Sequence, residues 1–162
     1  MARARPGPPP LRPFGLVLCH DGSWTHEGQP IRNRKLREHF DRSVVYVPGE
    51  SCYVVTLRHF RGQVEVEEAG FFVRDLDVET GTIGLSDRSR EPLDPASLRP
   101  SPIDAALLCT VKRALAPGGL PARFTHAAQA ELMNAVEEGE GGAPCLRLAG
   151  TLHPLPALDP GG

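Results

Sequence analysis

The sequence holds little of what ready-made chemistry requires. It has no CxxC pair, no Cys/His set at zinc-finger spacing, and no GxSxG, P-loop, GxGxxG or HExxH. These absences leave no motif-borne nucleophile, nucleotide cradle or metal site, and no cofactor is implied. No apolar run approaches the ~20 residues of a membrane-spanning helix. The formal net charge is only −2, too small a field to hold nucleic acid or an anionic membrane. Aromatic residues are scarce at 6%, with one tryptophan, Trp24.

What is present describes an ordinary folded domain. The 162 residues suffice for one core, with 40% hydrophobic and 23% charged residues. Glycine and proline, 17 each, fall between apolar runs and punctuate a turn-rich fold. Cys19, Cys52, Cys109 and Cys145 each sit in or beside an apolar segment, as buried thiols of a reducing compartment do. Residues 1–13, rich in Pro and Arg and without an apolar core, do not form a secretory signal and read as a disordered tail. A single α+β domain is expected over 14–155, then a short disordered tail over 156–162, in a cytoplasmic protein.

Along the chain, short β-rich runs alternate with turns. Gly15 to Cys19 is a strand, Asp21-Gly22 a hairpin turn, and Trp24 to His26 the return. A helix runs from the N-cap Asn33 to Arg42, with Leu36 and Phe40 on one face. Val44–Val47 and Cys52–Leu57 make a second hairpin. Gln63 to Glu67 alternates polar and apolar, and Phe71 to Val78 and Thr82 to Leu85 pair about Glu79-Thr80-Gly81. Asp87 to Pro102 reads as a linker with one turn near Pro95. A strand over 105–111, an extended 122–124, a helix from His126 to Glu138 capped by Thr125, and a last hairpin about Gly150 complete the order. Residues 15–57 and 105–153 both read hairpin, helix, hairpin. They suggest two repeated units around the central strands 63–85, the whole mainly antiparallel.

The run from Asp21 to Ile31, DGSWTHEGQPI, followed by a short helix with Leu36 and Phe40, resembles the opening of a bacterial family known as domain of unknown function 1285 (DUF1285). The run from Gln63 to Val73, QVEVEEAGFFV, and the order of C-terminal elements extend the likeness over about 15–155. The resemblance implies an α+β fold with repeated motifs and a signalling role. It implies no catalytic residue. One departure is Leu152-His153-Pro154-Leu155, which stands where the family closes on an aromatic strand.

One ribbon gathers suggestive side chains: His20, Asp21, Trp24 and His26, with Glu27 beside them. A strand places Trp24 and His26 on one face, so the ribbon could offer a stacking ring and two imidazoles to a ligand. Equally, Asp21-Gly22 forms a turn and Trp24 packs in the core. Glu65, Glu67 and Glu68 are accounted for as the wet side of a strand. The basic stretch Arg32, Arg34, Lys35 and Arg37 is accounted for as a solvated helix face, partly neutralised by Glu38 and Asp41. The reading is a non-enzymatic module that binds a protein or small molecule through His20, Asp21, Trp24 and His26. Neither nucleic acid nor membrane is an expected partner. The alternative is a small metal-dependent hydrolase built on His20 and His26.

Overall fold

In the computed structural model, residues 11–57 and 60–156 are described; most of the two tails assigned above lies outside them. The span read as one domain holds two compact units, one ending at Glu67 and the other beginning at Glu68.

The first unit is a six-stranded sheet with one helix. Its elements are β1 (Leu11–Leu18), β2 (Trp24–His26), β3 (Gln29–Pro30), α1 (Arg34–Ser43), β4 (Val45–Val47), β5 (Cys52–Leu57) and β6 (Phe60–Val66). The strand order is β3-β2-β1-β6-β5-β4. Two antiparallel meanders therefore meet at the centre, where β1 runs parallel to β6 with Leu16 opposite Val64 and Leu18 opposite Val66. β1 already includes Leu11, three residues ahead of the expected start. Asn33 caps α1 as its spacing predicts, its side chain accepting from the Leu36 amide at 3.1 Å.

α1 lays Phe40 against the sheet, and Trp24 meets it there. The two rings lie 5.2 Å apart at 45°. Trp24 is only 1% exposed, and its indole N–H donates to Asp41 Oδ1 at 2.8 Å. A buried tryptophan needs such a partner, because an unpaired N–H in the core costs about 1–3 kcal/mol. Leu18, Val44, Val54 and Val55 complete the core of this unit.

The second unit repeats the plan. Its elements are β7 (Phe71–Asp77), β8 (Thr82–Leu85), β9 (Arg90–Pro92), a 3-10 turn (Pro95–Ser97), β10 (Arg99–Pro100), β11 (Leu107–Val111), β12 (Leu120–Phe124) and α2 (His126–Asn134). The order is β10-β11-β12-β7-β8-β9, again two meanders joined by a parallel central pair, β7 with β12. A three-stranded sheet follows, from β13 (Val136–Glu138), β14 (Pro144–Leu148) and β15 (Thr151–Pro154).

The repeat therefore spans 11–66 and 71–124, not 15–57 and 105–153. Matching Leu16–Cys19 to Ala106–Cys109 aligns β1 with β11, whereas β7 holds the equivalent place. Two further expectations change. The linker Asp87–Pro102 contains the edge strands β9 and β10, whose prolines sit where no ladder N–H is needed. The helix expected to reach Glu138 ends at Asn134, because Val136 leaves it to pair with Leu146.

A buried polar cluster ties the second unit together. The Arg123 guanidinium donates to Glu68 at 2.8 Å and to Asp104, and Ser101 donates to the other Glu68 oxygen at 2.6 Å. All four cysteines are free. Cys109 is buried, whereas Cys19, Cys52 and Cys145 are half-buried rather than buried as expected. Burial pushes the Cys109 thiol up to about 12, which removes it as a nucleophile.

The Trp24–Phe40 contact gives the first prediction. Phe40→Ala should cost about 3–5 kcal/mol in urea unfolding. In the native wild type, acrylamide should quench Trp24 weakly, and in the variant strongly. Strong quenching of the wild type would contradict the burial.

Candidate functional site

The parallel contact between β1 and β6 brings together two segments distant in sequence. Past its last paired residue, β1 continues into Cys19 and His20, and β6 into Glu67. The Glu67 amide donates to Leu18 O at 3.0 Å and so extends the parallel ladder by one bond. Its carboxylate then reaches over the turn. Oε2 accepts from the His20 backbone amide at 3.1 Å, and Oε1 meets His20 Nδ1 at 2.7 Å. A carboxylate can only accept, so Nδ1 is the protonated nitrogen. In the neutral ring Nε2 then carries the lone pair. Nε2 has no hydrogen-bond partner among the described residues, and the His20 side chain is 31% exposed.

The turn beneath is made by Asp21-Gly22-Ser23. Gly22 adopts φ +90°, a left-handed conformation that suits glycine. Asp21 Oδ1 accepts from the Ser23 hydroxyl at 2.6 Å and from its amide at 2.9 Å. These two bonds, the hydroxyl's first, hold the Asp21 carboxyl below its ordinary range. The carboxyl of Glu67 is held down in the same way, first by the His20 amide and then by its ring. Most nearby backbone donors are engaged: Cys19 N–H on Ser23 O and Gly22 N–H on Cys19 O, besides those of His20, Ser23 and Glu67. The site therefore offers acceptors, the His20 Nε2 lone pair foremost.

Of the four residues singled out in the sequence, His20 and Asp21 meet here and the other two do not. Trp24 faces the core, with its N–H committed to Asp41. His26 is exposed and pairs with Leu16 within β1, whereas His20 lies in the turn past Leu18, the last residue of β1. The two imidazoles do not converge. Among the described residues, no three His, Cys, Asp or Glu side chains gather as a metal site. From its spacing alone, Glu67 belongs to the wet face of its strand. Nothing in its spacing links it to position 20; the parallel register does.

The second unit supplies an internal comparison. There the Thr125 amide donates to Val73 O, as the Glu67 amide does to Leu18 O. Thr125, however, opens α2, whose N-cap bond its hydroxyl accepts from Ala128. α2 packs on β7, and Glu131 accepts from the Leu76 amide at 3.2 Å. In this unit a helix occupies the end of the parallel pair. In the first unit that end is left to His20, Asp21 and Glu67. A second polar group, Lys112 with Asp87 at 2.6 Å and Ser89 at 3.0 Å, is a strut: its ammonium also lies 4.9 Å over the Phe71 ring.

No family model and no curated protein matches the chain. Two crystal structures resemble it. A DUF1285 family protein from Silicibacter pomeroyi DSS-3 is 19% identical over 91% of this chain and 82% of that one, with a TM-score of 0.60. A DUF1285 family protein from Shewanella baltica OS155 is 16% identical over 75% of this chain and 91% of that one, with a TM-score of 0.49. The first shows that this chain has the fold of a DUF1285 family protein, as the residues from Asp21 to Ile31 imply.

The Glu67 clasp makes the first unit acid-sensitive in one direction. Its folded carboxyl titrates below the ordinary 4.5. It therefore contributes stability at pH above 4.5, and loses that contribution as pH falls through the lower folded value. Urea midpoints followed from pH 7 to 3 should fall more steeply for wild type than for Glu67→Gln. Identical slopes would remove the clasp as a stabilising contact.

Proposed function

We propose that the protein is a non-enzymatic binding module whose ligand docks on His20 at the carboxyl ends of β1 and β6. The carrying observation is the two-point clasp of Glu67 on His20. Holding a partly exposed imidazole in one tautomer costs side-chain freedom and adds little to a core that Trp24 and Phe40 already fill. Such a clasp is useful where the other ring nitrogen must be presented. With Nε2 and carboxylate oxygens available and most local N–H groups engaged, the site suits a ligand that donates hydrogen bonds. Asp21 flanks it and adds negative charge.

Two points favour binding over turnover. Among the described residues, no hydroxyl or thiol is hydrogen-bonded to His20, as the logic of activated nucleophiles requires. The divergence of His20 and His26 leaves the hydrolase reading without a ligand pair. A module that reports occupancy instead of converting a substrate also fits the signalling role that the family resemblance implies.

Fragment titration of the full chain, followed by amide NMR shifts, tests this reading. Hydrogen-bond-donating fragments should perturb residues 19–23 and 67. His20→Ala should weaken them at least about tenfold, the loss of one charge-assisted or well-oriented hydrogen bond. Hits that map elsewhere, or that His20→Ala leaves unchanged, would overturn it.

A further inference from the structure

The second unit carries a groove that neither sheet of the repeat requires. It encloses about 280 Å³ and is lined by Val78 and Glu79 from the β7–β8 turn, Asn134 and Ala135 from the end of α2, and Glu137, Arg147 and Gly150. The volume is below that of a typical drug-sized pocket. It suits one long side chain.

The charges in the groove are not equivalent. Arg147 is already spent. Its Nε and Nη2 donate to the two oxygens of Glu137 at 3.1 and 2.8 Å, and Nη1 lies 3.5 Å from Gly150 O. That pair is neutral as a unit, so the guanidinium is not free to receive an anion. The Glu79 carboxylate, by contrast, has no hydrogen-bond or ion-pair partner among the described residues; only its backbone amide is engaged, with Asp77. α2 ends at Asn134 and so directs the negative end of its dipole into the same space. The unit as a whole has the same sign: from Glu68 onward there are eight Lys and Arg against thirteen Asp and Glu, a net −5, whereas the chain up to Glu67 carries ten against seven, a net +3.

Apolar exposure concentrates around the groove. Val78 in its lining is 39% exposed, and Met133, next to Asn134, is 51% exposed. Leu152 is 40% exposed and lies directly opposite Arg147 in the β14–β15 register. Leu146 and Leu148 fill the buried face of β14, so Arg147 and Leu152 share its outer face. An unpaired carboxylate and a helix carboxyl end, with the exposed Val78 in the lining and Leu152 opposite Arg147, match a cation on an aliphatic stem.

We propose that this groove docks a peptide segment carrying a basic side chain between aliphatic residues. The basic side chain would lie against Glu79 and the end of α2, and its flanks against Val78, Met133 and Leu152.

The test uses the full chain and two capped pentapeptides, acetyl-Ala-Leu-Arg-Leu-Ala-amide and its Glu counterpart, titrated at low and at physiological salt. The basic peptide should shift amides within 78–80, 133–137 and 147–152. The acidic one should bind at least about tenfold more weakly, and salt should narrow that gap. Glu79→Arg should lose the basic peptide, and Glu79→Gln should weaken it. Glu79 has no side-chain partner to lose, so both variants should keep the wild-type circular dichroism. No shifts, shifts outside the groove, equal binding of both peptides, or binding indifferent to Glu79→Arg would each overturn the proposal.

Discussion

Each repeated sheet depends on one pairing, the parallel contact between its first and last strands. An antiparallel meander needs only short turns, and the local sequence can specify it. A parallel contact must close a loop across nearly the whole unit, at an entropy cost that the short turns of the meanders do not carry. β1 and β6 are parallel neighbours although the rest of their sheet lies between them in sequence; β7 and β12 do the same in the second unit. In each case this pairing makes one sheet of two three-stranded pieces. It also decides which loops meet at the sheet's centre.

The two closures are put to different use. In the second unit the outgoing strand turns at once into α2, and the helix covers the end of the pair with its own cap and with Glu131. In the first unit the outgoing strand gives only Glu67, and the carboxylate takes the place of a helix by gripping His20. Trp24, Phe40 and the valines of β5 fill the core without a side-chain bond to this grip. In the proposed function, the imidazole is held for what its other nitrogen presents. The same reasoning separates the remaining polar groups: Arg123 and Lys112 are struts because every donor described for them ends on a nearby acceptor within their unit.

Much of this was legible from residues whose signals are local. Asn33 and Thr125 announce helix starts because their side chains cap within three residues. Asp21-Gly22-Ser23 announces a turn because Asp21 bonds two residues on. The misses are of another kind. α2 stops before Val136 because Leu146, ten residues away, offers it a strand partner. β9 and β10 hide among prolines and charges because edge strands need few ladder bonds. The bounds of the repeat could have been found in Gln29-Pro30-Ile31, closing β3 ahead of the Asn33 cap, and Glu91-Pro92-Leu93, closing β9 ahead of the Asp94 cap. Two of the three residues of the candidate site were visible, His20 and Asp21. Glu67 was not, because a side chain recruited by parallel pairing leaves no spacing in the sequence.

The central claim is that closure of the first sheet places Glu67 on His20 and leaves Nε2 presented. The most direct measurement is the long-range proton–nitrogen NMR spectrum of the imidazoles at a pH where His20 is neutral. His20 should show a single tautomer, protonated at Nδ1, that Glu67→Gln shifts toward a mixture while the neighbouring amides stay in place. A His20 ring protonated at Nε2, or one indifferent to Glu67→Gln, would contradict it.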